Sequence, residues 1–224
     1  MKRQSLSKVL PLVTLAIGLS WLPAISQASP ITTLFGADNF GNPGGAVYFD
    51  LTVGVNAITI TGLDTNTREN GVFSGFEFYT TSAGSSAFGN EGNIGAWTLQ
   101  TTGTLTASGL DNPSPVNLMS SVLLSANTTY GIALVMPGQA GHAYTNGTGS
   151  NQNYANADLS LTFGTATSGP FVSCCFDPRV WNGSIYYTVD KAEPPPQVPA
   201  PGALGLLGIA LAGLGFTRRR KQAV

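Results

Sequence analysis

Short runs of β-branched and aromatic residues, separated by clusters of Gly, Asn, Asp and Pro, recur through the middle of the chain. Runs of this length and composition, bounded by turn residues, are typical of β-strands. Eight such segments occur, over 46–53, 57–63, 75–80, 97–105, 116–124, 129–136, 159–163 and 181–189. No helical period is sustained between them. The pattern predicts an all-β fold, a two-sheet β-sandwich of jelly-roll type.

The alternation within these runs also predicts which side chains face the core. Residues two apart in a strand lie on the same face of a sheet. Glu77 alternates with Phe76 and Phe78, so we expect it on the solvent side. The residues expected inside are Ile58, Ile60, Phe76, Phe78, Trp97, Ile132, Leu134, Leu159, Leu161, Ile185 and Tyr187.

The first 28 residues have the three parts of a secretory signal peptide. A basic stretch over 1–8 precedes an apolar run over 9–22, which is too short for an ordinary membrane span. Small residues over 26–28 fit a cleavage site, so signal peptidase is expected to cut between Ala28 and Ser29. The alternative is an uncleaved anchor helix.

The other end of the chain predicts a membrane anchor. Residues 193–202 are a proline-rich linker, and 203–217 are rich in Gly, Ala and Leu. As a transmembrane helix this run spans roughly 22 Å, against about 30 Å of hydrocarbon. The alternative is a buried core helix. The tail, 218–224, opens with a basic cluster that the positive-inside rule places in the cytoplasm, and that cluster is Arg218, Arg219, Arg220 and Lys221.

The proline-rich linker, the apolar run and the basic cluster, in this order, resemble the PEP-CTERM sorting signal of bacteria with an exopolysaccharide-rich envelope. The positions of its short motif are Val198, Pro199, Ala200 and Pro201. The resemblance implies transient anchoring in the inner membrane with the domain outside. It also implies removal of the tail by an exosortase-like membrane peptidase and a final place in the envelope or outside the cell. The family's central Glu is Ala200 here, and a tail that is never cut would leave a C-terminally anchored protein.

A second resemblance lies within the domain over 29–192. The segment from Tyr144 to Tyr187 contains YTNGTG, NADLSLTFGTATSG and PRVWNGSIYYT. It is similar to a β-sandwich module that recurs in exported bacterial proteins, often beside this sorting tail. That resemblance implies a fold and a location, and no reaction.

Charge separates the ends of the chain from its middle. Seven of the ten basic residues lie at the two ends. Between them, eleven acidic residues stand against three basic ones, Arg68, Arg179 and Lys191, for a formal charge of −8. An acidic domain is expected to be soluble and not to bind nucleic acid, which needs a basic surface.

The candidates for catalysis are few, and we predict no catalytic residue. The single histidine, His142, lies in a Gly-rich stretch and is expected to be a solvated loop side chain. A Ser-His-Asp hydrolase would need it as general base, and the GxSxG motif is missing from 29–192. A glycosidase needs two facing carboxyl groups, for which the candidates are Glu69, Glu77 and Glu91.

One turn of the domain carries three oxygen-bearing side chains close together in sequence. Asp64, Asn66 and Glu69 offer oxygen ligands for a structural Ca²⁺ ion, but ordinary turn chemistry is favoured, so neither a metal site nor a cofactor is predicted.

Cys174 and Cys175 are adjacent. Their α-carbons lie about 3.8 Å apart across a trans peptide, below the usual range for a bridge. A strained vicinal disulfide and free or intermolecular thiols are both open.

The resulting hypothesis is a non-enzymatic protein of the cell envelope or extracellular matrix, linked to exopolysaccharide or biofilm. Its expected partners are signal peptidase, the exosortase-like peptidase, the membrane and polysaccharide. The alternative is a carbohydrate-binding module for the organism's own polysaccharide, with the aromatic residues Tyr144, Tyr154 and Trp181 as a stacking platform. A glycan-active enzyme is the third hypothesis.

Overall fold

The fold is that of a computed structural model, which describes residues 26–172 and 175–190 together with Ile209. Fifteen strands and one turn of 3-10 helix, Ile94–Ala96, make up the described part. No α-helix occurs in 26–172 or 175–190. The strands are β1 (Ser26–Gln27), β2 (Ile31–Thr32), β3 (Asn39–Phe40), β4 (Ala46–Val53), β5 (Ala57–Thr65), β6 (Asn70–Thr81), β7 (Trp97–Ser108), β8 (Ser114–Leu118), β9 (Val122–Leu124), β10 (Thr129–Val135), β11 (Ala143–Asn146), β12 (Asn153–Ala155), β13 (Leu159–Thr167), β14 (Arg179–Trp181) and β15 (Gly183–Asp190).

Twelve of these strands form one large antiparallel sheet. Its path runs β1-β15-β5-β8-β7-β6-β10-β4-β13-β12, with β2 also paired to β15 and β9 to β5. The two ends of the path approach each other at Tyr187 of β15. Asn156, after β12, donates from Nδ2 to Tyr187 Oη at 2.7 Å, and Tyr187 Oη donates to Asp158 Oδ2 at 3.1 Å. The sheet therefore nearly closes on itself.

A second sheet of three strands, in the order β14-β11-β3, accompanies the large one. Its central strand pairs Tyr144 with Trp181 on one side and with Asn39 on the other. The all-β class predicted from the sequence is confirmed, whereas a jelly-roll arrangement is not. Alternation of side chains reports which face of a strand is buried, and it does not report which strands pair.

The residues predicted to face inward are all buried, and most belong to one large core. Trp97 is the exception, because it lies in a second cluster with Tyr48. Tyr48 alternates along β4 with Val47 and Phe49, which belong to the large core. The second cluster therefore lies on the other, outer face of the sheet, and β4 is buried on both sides.

Both termini largely fall outside the described residues. Of the predicted signal peptide, only Ser26–Ala28 is described, and β1 would be removed by a cut between Ala28 and Ser29. Of the predicted C-terminal span, only Ile209 is described. Within the described residues, no helix is long and apolar enough to cross a membrane. The motif over 198–201, the basic cluster over 218–221 and Cys174 are not among them.

Candidate ligand-binding cleft

A cleft of about 550 Å³ opens beside β13, between the β6–β7 connection (82–96) and the β13–β14 connection (168–178). Its described lining contains two carboxylates and neither Lys nor Arg. The lining residues are Phe88, Gly89, Glu91, Gln152, Thr162, Phe163, Gly164, Thr165, Cys175 and Asp177. The cleft thus combines an aromatic ring, acidic groups, an amide and hydroxyls.

The β6–β7 connection is held against the sheet by one carboxylate. Asp50 of β4 accepts hydrogen bonds from Ser86 Oγ and from the Ala87 backbone N–H, each at 2.7 Å. Farther along, Trp97 Nε1 donates to the Asn90 carbonyl at 2.9 Å. The segment that carries Phe88 is therefore fixed on one side of the ring to the half-buried carboxylate of Asp50 and on the other to the buried indole of Trp97.

Phe88 lies over a glycine in a β-bulge. The register of β13 against β4 shifts between Phe163 and Thr165, and Gly164 is the extra residue. A Cβ at Gly164 would lie 2.3 Å from Phe88 Cε1, so the ring occupies the space that a side chain would need. The bare backbone lets Phe88 lie on the strand while 38% of it stays exposed. Any larger residue at this position would displace the ring.

Glu91 is a buried carboxylate whose two oxygens are held by different elements. Only 7% of the residue is exposed. Its Oε2 accepts from the Gly89 backbone N–H at 2.8 Å, and its Oε1 accepts from Thr165 Oγ1 at 3.1 Å. A carboxylate has about four acceptor sites. Glu91 is therefore held in place by the β6–β7 connection and by β13, and its carboxylate keeps acceptor capacity.

Two polar side chains of the lining, Gln152 and Thr162, are hydrogen-bonded to neighbouring groups. Gln152 donates from Nε2 to the Phe163 carbonyl at 3.0 Å and accepts from the Gly149 N–H at 2.9 Å. Thr162 Oγ1 donates to Asn153 Oδ1 at 3.1 Å. These bonds fix the amide and the hydroxyl in place before any ligand arrives.

The far wall belongs to the β13–β14 connection, which Phe171 anchors. The Phe171 ring packs into the outer aromatic cluster, with centroid distances of 4.9 Å to Tyr79, 5.9 Å to Trp97 and 6.2 Å to Tyr48. Its backbone N–H donates to Tyr48 Oη at 2.9 Å. Burial is the main cause that raises the pKa of Tyr48, so this hydroxyl stays protonated at neutral pH. The first part of this connection is thus joined to the sheet through a ring and a hydrogen bond.

The same wall brings Cys175 and Asp177 to the cleft. Cys175 is half-buried and Asp177 is exposed. Because Cys174 lies outside the described residues, the pairing of the two cysteines stays a prediction.

His142 is not the solvated loop side chain that we expected. It is 2% exposed, and its Nε2 lies 3.0 Å from the Leu134 carbonyl, which can only accept, so Nε2 carries the proton. Nδ1 then accepts from Thr65 Oγ1 at 3.2 Å, and that oxygen accepts from Trp181 Nε1 at 3.0 Å. Burial lowers the pKa of His142 to about 4. The expectation failed because β11 begins at Ala143 and draws its neighbour into the core.

The oxygen ligands considered for Ca²⁺ point to separate partners. Asp64 Oδ2 accepts from Tyr186 Oη at 2.6 Å, and Asn66 donates from Nδ2 to the Phe35 carbonyl at 2.7 Å. Glu69 accepts a hydrogen bond from Thr67 Oγ1. Among the described residues, no group of three or more His, Cys, Asp and Glu side chains is arranged to hold a metal.

Of the three aromatic residues considered as a stacking platform, two are buried and are not available to stack on a sugar. Tyr144 and Trp181 are core residues, 2% and 1% exposed. Tyr154 is half-buried and packs edge-on against Phe163 at 5.7 Å. The sequence reasoning missed Phe88, although a single aromatic inside SAGSSAFGNEGN, with no alternating partner, is a usable signal for a loop ring.

Comparison with known proteins bears on the C-terminal segment. Residues 197–221 match the PEP-CTERM protein-sorting motif. A search of curated proteins gives no match. The matched segment contains both the VPAP positions, 198–201, and the basic cluster, 218–221, and it confirms the assignment made from sequence. The motif implies export and membrane-anchored processing by an exosortase, so this chain is a protein that carries a PEP-CTERM sorting signal.

Proposed function

We propose that the chain is a non-enzymatic protein of the cell envelope or extracellular matrix, whose β domain works outside the inner membrane. The observation that carries the proposal is the sorting motif over 197–221. A motif of this kind addresses whatever domain precedes it to the outside of the cell. The proposed setting is the exopolysaccharide or biofilm matrix that accompanies this sorting system.

The hydrogen bonding of His142, Asp50 and Asp64 supports a non-catalytic role. A general base must reach a substrate proton, whereas His142 is enclosed between Leu134 and Thr65. The carboxylates of Asp50 and Asp64 accept hydrogen bonds that hold the chain together. These groups are used for structure.

Fractionation of host cells tests the proposal through the tail. Three forms are compared: the natural chain, a chain that lacks 197–224, and Ala200→Glu, which restores the family's central residue. We expect the natural chain to leave the membrane fraction only in cells with an active exosortase. The deleted form should reach the outside in either strain, and Ala200→Glu should be processed at least as fast as the natural chain. A natural chain that distributes in the same way in both strains would contradict the proposal.

A second assay addresses catalysis directly. The processed protein is incubated with neutral and acidic polysaccharides, and new reducing ends are measured. We expect none above a sample without protein. Release that Glu91→Gln abolishes would overturn the non-enzymatic role and would favour the glycan-active enzyme.

A further inference from the structure

We propose that the cleft beside β13 binds a neutral, hydroxyl-rich saccharide, with Phe88 as the stacking surface and the carboxylates of Glu91 and Asp177 as acceptors for sugar hydroxyls. This goes beyond the function proposed above, because a sorted envelope protein need not bind any glycan. It is also independent of the tail, since every residue it uses lies in the β domain.

The size of the cleft suits a short stretch of polysaccharide. Its volume of about 550 Å³ lies within the range of small-molecule sites, roughly 300–1,000 Å³. The cleft is open on one side, because Thr162 and Asp177 at its border are exposed. An open cleft admits an internal segment of a chain, whereas an enclosed pocket would admit only an end.

The chemistry of the lining matches the two faces of a sugar ring. The C–H face of a pyranose is apolar and packs on an aromatic ring, and Phe88 offers such a ring at the cleft. The rim of the sugar carries hydroxyl groups, and an O–H that donates to a carboxylate forms a strong, short hydrogen bond. Glu91 belongs with Phe88 to the β6–β7 connection, and Asp177 belongs to the β13–β14 connection.

Charge selects among saccharides. With two carboxylates and neither Lys nor Arg in the described lining, the cleft repels uronates, sulfates and phosphates. Arg179 follows Asp177 closely in sequence, but its guanidinium lies over the rings of Tyr144 and Phe176, at 5.6 and 5.8 Å. The lining therefore disfavours anionic saccharides, and the proposed ligand is a neutral one.

The site is held ready before binding. Asp50 fixes the loop of Phe88, and the bulge at Gly164 seats its ring. Beside Asp177, the backbone of Phe176 pairs with Ala166 of β13 through two hydrogen bonds of 2.7 and 3.0 Å. A site whose walls are already ordered loses less entropy when a ligand binds. This rigidity distinguishes the cleft from a loop surface that merely exposes polar groups.

A pair of matched variants tests the proposal. The protein as its host produces it, purified with or without its tail, is applied to an array of neutral glucans, mannans, galactans and N-acetylglucosamine oligomers, with oligogalacturonates as the acidic probe. We compare Phe88→Ala with Phe40→Ala, because both rings are 38% exposed and Phe40 lies in β3, away from the cleft. The thermal midpoint of each variant is measured to show that it is folded.

We expect saturable binding to at least one neutral glycan, weakened at least 10-fold by Phe88→Ala and unchanged by Phe40→Ala. Asp177→Asn, an exposed change that leaves the core intact, should weaken binding by a smaller factor. Absence of binding to every neutral glycan, equal loss in both Phe variants, or preference for oligogalacturonate would overturn the proposal. None of these results depends on whether the tail is cut, so this proposal and the sorting proposal fail separately.

Discussion

The two faces of the large sheet differ in how completely their polar groups are used. On the inner face, the indole of Trp181, the hydroxyl of Thr65 and the imidazole of His142 form a closed series that ends at the Leu134 carbonyl. On the outer face, Glu91 is also buried, yet it keeps acceptor capacity beside an open cleft. Buried polar groups whose hydrogen bonds are all made stabilise a fold. A buried carboxylate that can still accept hydrogen bonds from an open cleft is available to a ligand.

The largest expected effect lies on the inner face. Phe49 is fully buried, stacks on Trp181 at 5.8 Å and packs on Phe163 at 4.8 Å. Phe49→Ala should lower the free energy of unfolding by roughly 3–5 kcal/mol, because it leaves a cavity in the core. Urea unfolding followed by fluorescence measures the loss. If Phe88→Ala lowered the free energy of unfolding by the same amount, the two faces would not differ in their contribution to stability.

The next effect is a dependence on pH that belongs to the inner face. The pKa of His142 falls from 6.5 to about 4 on folding, so its stabilising contribution is complete above pH 6.5 and is lost as the pH falls toward 4. The full loss amounts to roughly 3 kcal/mol at about 1.4 kcal/mol per pKa unit. Urea unfolding at pH 7 and pH 4 measures it.

The control for that effect is His142→Gln, which removes the titration. The variant should be less stable than the natural protein at pH 7 but should lose less stability between pH 7 and pH 4. The carboxylates titrate in both proteins, so the difference between the two losses reports His142. Equal losses would show that His142 is not held neutral.

A moderate effect is expected for the anchor of the cleft wall. Phe171 is half-buried among Tyr48, Tyr79 and Trp97. Phe171→Ala should cost roughly 1–3 kcal/mol, less than a full core truncation, and should loosen the wall that carries Asp177. Hydrogen exchange over 168–178 should speed up while exchange of β5 and β15 stays slow. Faster exchange in β5 and β15 as well would mean that the outer aromatic cluster unfolds together with the large core.

The smallest effect on stability is expected at the bulge. Gly164→Ala places a methyl group where Phe88 lies, so the ring must shift. The neighbour is the end of an exposed side chain, and we expect a cost below about 1 kcal/mol. Binding of the neutral glycan should weaken as it does in Phe88→Ala. Unchanged binding together with a large loss of stability would show that Phe88 is a structural residue.

The sequence predicts burial well in some strands and poorly in others. The period-2 pattern predicts the buried residues of β5, β6 and β13, because burial on one face follows directly from alternation. It does not predict Trp97 on the outer face, since β4 is buried on both sides only after two distant connections fold over it. Pairing order depends on contacts remote in sequence.

The cleft, too, is built by residues that lie far apart in the sequence, and local patterns do not predict such contacts. Glu91 could be named from sequence as one candidate carboxylate, but nothing local indicates that Thr165, 74 residues later, donates to it. The burial of His142 cannot be read from its neighbours in sequence, because its surroundings come from other strands. The sorting tail was recognised because its information is local: an apolar run and a basic cluster keep their meaning without a fold.

Intact mass spectrometry of the protein recovered from its native host tests the central claim most directly. We expect a mature form that begins at Ser29 and has lost C-terminal residues at a cut within or near 197–221. In a strain without exosortase activity, the same tail should be retained. A mature pool in the natural strain that still ends at Val224 would contradict the sorting assignment.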